Sequence, residues 1–214
     1  MTRVKVCGVV DPANARLAVE MGADFIGLNF YVRSPRYVDP DRAREIADTV
    51  RAAGAEVVGV FVNLPTAEVE EIAGRVGLDR LQFSGDESPE AVASFAGRAV
   101  KAFRTGGDPG AEALAAWDGV WGWLFDAPHG TLYGGTGEGW SYDAVAAVSD
   151  LAGARRVFLA GGLGPDNVRR AVEAGRPFAV DVCSRVESAP GIKDPELLRR
   201  LFEEVRNAQI QAPS

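Results

Sequence analysis

Short apolar segments alternate with helix-patterned ones eight times along the chain, and this alternation restricts the possible folds more than any other feature. The candidate strands are 3–8 (RVKVCG), 24–30 (DFIGLNF), 56–62 (EVVGVFV), 79–83 (DRLQF), 98–103 (RAVKAF), 120–126 (VWGWLFD), 155–160 (RRVFLA) and 178–183 (FAVDVC). Most are rich in β-branched or aromatic residues and apolar on more than one side, as parallel strands covered by helices should be. Helical stretches fall between them at 12–22, 39–53, 65–76, 88–96, 109–117, 141–150, 165–175 and 194–207. Asp11-Pro12, Asp39-Pro40 and Asp194-Pro195 each pair a capping carboxylate with a residue whose φ suits a first helical turn. In 39–53, Ala43, Ile46, Ala47 and Val50 share a face, while Arg42, Arg44, Glu45 and Asp48 fall mostly elsewhere, as in a helix lying on a sheet.

Eight units in 214 residues leave about 27 residues each, close to the lower limit for a closed barrel. An open doubly wound sheet would usually carry phosphate-binding glycines after its first strand. Here VCGVVDP follows that strand and the glycine clusters come late. The expected fold is therefore α/β, a single-domain (β/α)8 TIM barrel over 1–208 with a short tail at 209–214. Hydrophobic residues make up 47% of the chain, enough for a sizeable core. A formal charge of −7 argues against a general nucleic-acid binder but leaves room for a small anionic substrate. No apolar run approaches the roughly 18 residues of a membrane span, and MTRVKVCG enters a strand without a leader. Two cysteines make no disulfide framework, so a cytoplasmic protein is expected.

A barrel of this kind does its chemistry at the C-terminal ends of its strands. Cys7 ends the first strand and Asp126 the sixth, so a thiol and a carboxylate meet over one pocket, an arrangement suited to general acid–base work. Taken alone, Cys7 also reads as a buried core thiol and Asp126 as a cap for the next loop. Lys5 and Asp181 lie on strands flanking the pocket, placed to pair or to orient groups. Gly134-Gly135-Thr136-Gly137, Gly161-Gly162 and Asp181-Val182-Cys183-Ser184 follow or end the last three strands, where barrels commonly hold phosphate. Glycine lets backbone amides approach an anion, and a helix opening near Pro165 would add unpaired donors. Gly135, Gly137, Gly161, Gly162, Ser184 and Arg185 are the phosphate-binding candidates. No nicotinamide or nucleotide fingerprint is present, and the lone His129 makes no metal site, so neither cofactor nor metal is expected.

Several blocks carry a resemblance. VKVCG at 4–8, GADFIGLNF at 22–30, SPRYV at 34–38, GVFVN at 59–63 and GDESPE at 85–90 occur in order. They are followed by KAF at 101–103, LFDA at 124–127, GGTG at 134–137, LAGGL at 159–163, VDV at 180–182 and PGIKD at 190–194. The chain resembles the phosphoribosylanthranilate isomerase family of tryptophan biosynthesis. The resemblance implies an Amadori rearrangement of N-(5-phosphoribosyl)anthranilate to 1-(2-carboxyphenylamino)-1-deoxyribulose 5-phosphate, with Asp126 as general acid and Cys7 as general base. It further implies that Arg36 clamps the anthranilate carboxylate, with Arg33 a weaker candidate and Asp181 facing the substrate.

The match has departures. Ser84 stands where the family commonly has His, Val10 where it has Thr, and Val182-Cys183-Ser184-Arg185-Val186-Glu187 where it commonly has Val-Ser-Ser-Gly-Val-Glu. Arg185 for glycine places a long cation in a loop expected to offer backbone donors. Alternatives are a divergent isomerase for another phosphosugar, including a histidine-pathway aminoaldose, and a noncatalytic barrel binding a phosphorylated metabolite. The histidine-pathway reading predicts two related phosphate-binding halves and paired aspartates, yet strand one carries Cys7; the noncatalytic reading predicts a broken acid–base pair. The expected partner is a small phosphorylated aromatic aminosugar, with no nucleic acid or membrane. A closed barrel has no free sheet edge, so a monomer is expected while a homodimer stays open. Cys7 and Cys183 end neighbouring strands and, given converging side chains, would bridge in an oxidant.

Overall fold

A computed structural model describes residues 1–104, 110–126, 153 and 155–210. Its strands are β1 (Arg3–Cys7), β2 (Phe25–Asn29), β3 (Glu56–Phe61), β4 (Arg80–Phe83), β5 (Ala99–Arg104), β6 (Gly122–Asp126), β7 (Val157–Ala160) and β8 (Ala179–Val182). All eight run parallel in sequence order, and β8 pairs back onto β1 to close the barrel. This is the expected (β/α)8 architecture, with strand limits within two residues of those read from apolar patterning.

Alternation along each strand sorts side chains between the barrel interior and the helical layer. Val4, Val6, Ile26, Leu28, Val57, Leu81 and Leu159 belong to the outer core beneath the helices. Phe25, Val58, Val100, Leu124, Phe158 and Ala179 form a separate inner cluster, joined by Trp121 and Phe178. The rings of Phe25, Phe158 and Phe178 lie 5.5–6.2 Å apart and plug the end of the barrel where the strands begin. The opposite end is left for polar side chains.

The covering helices begin as their sequences predict. Helix α1 (Pro12–Met21) is capped by Asp11, whose carboxylate accepts from the Asn14 amide at 2.9 Å. Helix α2 (Pro40–Ala52) is capped by Asp39 and buries Ala43, Ile46, Ala47 and Val50. Helix α3 (Thr66–Val76) follows β3, and α4 (Pro89–Val92) tightens into a 3-10 turn over Ala93–Arg98 that sets Phe95 against Phe83. The remaining described helices are α5 (Ala111–Ala115), α6 (Val168–Gly175) and α7 (Pro195–Ile210). The stretch expected to be helical at 141–150 lies outside the described residues.

The structure differs from the sequence reading in three places. Helix α6 starts at Val168 rather than near Pro165, because the buried Asn167 side chain bonds the Gly164 amide and the Gly162 carbonyl and holds the approach as a turn. A small hairpin, β9 (Glu187–Ala189) with β10 (Ile192–Lys193), occupies what was read as loop, turning at Gly191 with φ +84°. Helix α7 continues to Ile210, past the helical limit read at 207, and 211–214 lie outside the described residues.

Candidate active site

The polar end of the barrel opens into a cavity of about 460 Å³ at the C-terminal ends of the strands. Cys7 from β1, Asn29 from β2, Gln82 from β4, Arg104 from β5 and Asp126 from β6 line it, with Asp181 from β8 and Cys183 and Ser184 beyond it. The two residues singled out as acid and base thus share one cavity. Ser84, Arg33, Gly161 and Gly162 also line it. Arg104, paired in register with Asp126, is a cation that strand patterning gave no reason to single out.

The floor is a buried polar layer. Lys5 and Asp181 face each other across the β1–β8 register, with Nζ 2.8 Å from Oδ2 and 2.8 Å from the Gln82 Oε1. Burial works against the Lys5 charge, but the attraction of Asp181 and of Cys7 outweighs it and raises its pKa above the ordinary value. Burial pushes the Asp181 carboxyl up to about 7 despite Lys5, and negative charge at Cys7 and Asp126 adds to the rise. Asp181 Oδ1 is buried and has no hydrogen-bond partner among the described residues, although the residue faces the cavity. An unmet acceptor beside a cavity is suited to a ligand hydroxyl.

Cys7 sits opposite Gly27 on β2, where a Cβ would come within 2.8 Å of the sulfur. Its thiol is held well below the ordinary range, chiefly by a hydrogen bond from Cys183. Burial opposes that effect, and the Lys5 and Lys193 ammonium groups reinforce it. Cys183 is pushed up in turn by the neighbouring Cys7 sulfur and by burial. Both cysteines are free thiols, and the side chains converge as their neighbouring strands suggested. A thiol in a cationic, partly shielded setting has an enlarged thiolate fraction, the form that accepts a proton.

Arg36 does not line the cavity. Its guanidinium forks onto Glu187, with Nε 3.0 Å from both carboxylate oxygens and Nη2 2.6 Å from Oε2. The stem runs over Gly8, whose φ of +72° and contact of a built Cβ with Arg36 Cδ both require glycine there. Glu187 also accepts from Lys193 at 2.7 Å, and Lys193 donates to the Cys7 carbonyl at 2.6 Å. Sequence reading missed Glu187, Lys193 and Gln82. The GIKD block was visible, but a buried lysine gives no periodic signal of its own.

On the late-strand side, Gly161 and Gly162 adopt φ of +93° and +65° at the cavity wall. Ser184 is at the start of the 3-10 turn Ser184–Val186. Arg185 does not line the cavity; its stem packs along Gly164, where a Cβ would meet Arg185 Cβ at 2.8 Å and Nε at 3.3 Å. That contact carries the side chain from the β8 loop across to the β7 loop. Gly135, Gly137 and His129 lie outside the described residues. Among the described residues, no helix is long and apolar enough to cross a membrane.

A family model described as "PRAI: N-(5'phosphoribosyl)anthranilate (PRA) isomerase" matches residues 4–204. An N-(5'-phosphoribosyl)anthranilate isomerase of Bordetella petrii is 45% identical over 213 residues, covering 97% of this chain and 96% of that protein. The crystal structure of phosphoribosyl anthranilate isomerase from Thermotoga maritima superposes with a TM-score of 0.86 at 34% identity, covering 97% of this chain and 100% of its own. A further structure of such an isomerase, solved in complex with reduced 1-(o-carboxyphenylamino)-1-deoxyribulose 5-phosphate, gives a TM-score of 0.83 at 32% identity. It covers 97% of this chain and 100% of its own.

Proposed function

The chain belongs to the N-(5'-phosphoribosyl)anthranilate isomerase family, and we propose that it converts N-(5-phosphoribosyl)anthranilate to 1-(2-carboxyphenylamino)-1-deoxyribulose 5-phosphate with Asp126 as acid and Cys7 as base. The observation that carries this reading is a carboxylate and a thiol of lowered pKa on the wall of one cavity. Asp126 donates a proton to the furanose ring oxygen as its bond to C1 breaks, leaving an iminium at C1. The Cys7 thiolate then takes the proton from C2, and the electrons of that bond neutralise the iminium to give an enolamine. Tautomerisation of the enolamine yields the ketone. Both steps move protons between fixed groups, which is what a positioned acid–base pair accelerates.

Binding follows from the rest of the cavity. The phosphate is read as bound at Gly161, Gly162 and Ser184, together with Gly135 and Gly137, which follow β6 in the sequence. The Arg185 side chain, held along Gly164, supplies charge at that rim where the family commonly has glycine. Asp181 Oδ1 accepts from a sugar hydroxyl. Arg36 clamps the anthranilate carboxylate with the part of its guanidinium that Glu187 does not take, Nε and Nη2 being bonded to Glu187. Residues 1–208 are read as one barrel unit, with a short tail at 209–214, working in a reducing cytosol.

Purified protein, exhaustively treated with chelator, is expected to consume the fluorescent phosphoribosylanthranilate. Turnover no faster than the uncatalysed reaction would remove the proposal. Running the same assay with the histidine-pathway aminoaldose separates a dedicated isomerase from one with a second substrate.

A further inference from the structure

The hairpin β9–β10 touches the proposed base and the proposed clamp through a single buried ion-pair chain. Glu187 and Lys193 have side chains only 3% and 0% exposed. Glu187 receives Arg36 in a two-pronged contact and Lys193 at 2.7 Å, and the Gly191 amide adds a third donor at 3.2 Å. Lys193 reaches on to the carbonyls at the ends of the barrel strands, 2.6 Å to Cys7 and 3.4 Å to Cys183. Its own amide is fixed at 2.7 Å from the Asn14 side chain. Burying two ions costs several kcal/mol unless geometry and further hydrogen bonds compensate. A turn of chain on a barrel rim needs no such arrangement to close, since the Pro190-Gly191 turn and two ladder pairs already do so.

We propose that Glu187 and Lys193 are positioning residues of this site. From one hairpin, the Glu187 carboxylate aims the Arg36 guanidinium, and Lys193 holds the Cys7 backbone and keeps a cation beside its sulfur. The inference rests on reading Cys7 as base and Arg36 as clamp, and it couples the two: one carboxylate is shared by the cation that meets substrate and the cation that serves the thiol. Among the described residues, the groups acting on Cys7 are Lys5 on β1, Asp181 and Cys183 at the end of β8, Arg36 on the loop after β2 and Lys193 on β10, while Glu187 on β9 holds Arg36 and Lys193. Burial raises the Glu187 carboxyl, but Arg36 and Lys193 together leave it below the ordinary range, so it stays charged and holds both cations.

The full-length protein supplies the test. Alkylation of Cys7 by iodoacetamide, followed across pH by peptide mass without substrate, reports where the thiolate forms. Lys193→Met is expected to move that midpoint upward by about one unit or more, the usual size for loss of a close opposite charge. Lys193→Gln keeps an N–H donor for the Cys7 carbonyl but drops the charge, and the same upward move is expected. Glu187→Gln is expected to raise KM about tenfold with a smaller fall in kcat, and to leave the alkylation midpoint no higher than in the wild type. A purely structural tie would lower the melting temperature and leave both readouts in place. An unchanged midpoint in a folded Lys193 variant, or an unchanged KM in Glu187→Gln, overturns the proposal. If neither Lys193 variant folds, the KM of Glu187→Gln decides. Absence of turnover in the wild type would instead count against the isomerase reading, and the alkylation arm would still decide the role of Lys193.

Discussion

Arg36 shows how a residue can be correctly located by sequence and still have an unforeseen partner. SPRYV placed it on the loop after β2, and the structure sets its stem over Gly8, next to Cys7. Its fork, however, lies on Glu187, 151 residues further along the chain. Lys193 bonds the Cys7 carbonyl across 186 residues, and Lys5 meets Asp181 across 176. No local pattern encodes such pairs; only closure of the barrel brings them together. Arg36→Ala is expected to weaken binding of anthranilate-containing phosphosugars by several-fold or more, because a charge-assisted contact to the substrate carboxylate is lost. Titration with an analogue lacking the carboxylate is the control. An equal loss for both ligands would show that Arg36 supports the site without contacting that group.

At the level of elements, the strands were legible because each is a short, mostly apolar run set between helix-patterned stretches. The Asp11 and Asp39 caps were legible for the same local reason. The hairpin β9–β10 was not, since two- and three-residue strands are too short to show alternation. Helix α6 was placed three residues early because Pro165 suits a first turn, whereas the Asn167 side chain takes the local amide and carbonyl instead. Close packing of β1 on β2 yields a prediction. Gly27→Ala would put a methyl group 2.8 Å from the Cys7 sulfur and 3.0 Å from its Cα. We expect a loss of about 1–3 kcal/mol in urea unfolding, as for other overpacked sites, together with a fall in turnover. A variant with wild-type midpoint and wild-type turnover would mean that the strands separate freely there, against the packing described.

At the scale of the whole molecule, the barrel interior places its apolar plug at one end and the polar cavity at the other, so core packing and the candidate chemistry occupy opposite ends. The plug of Phe25, Phe158 and Phe178 needs no polar compensation. The layer of Lys5, Gln82 and Asp181 above it is held by hydrogen bonds within the barrel. With the barrel sheet closed on itself, that sheet offers no strand edge to a second chain. Sedimentation at micromolar concentration is expected to show the mass of one chain; a stable species of twice that mass would contradict it. The central claim is that Asp126 and Cys7 transfer the protons of the rearrangement. Its most direct measurement is steady-state turnover of phosphoribosylanthranilate by Cys7→Ser and Asp126→Asn, each confirmed folded by circular dichroism and melting temperature. The account predicts a fall of at least about 10²-fold in each, the usual cost of losing a positioned proton donor or acceptor. Near-wild-type turnover in either folded variant would contradict the role given to that residue.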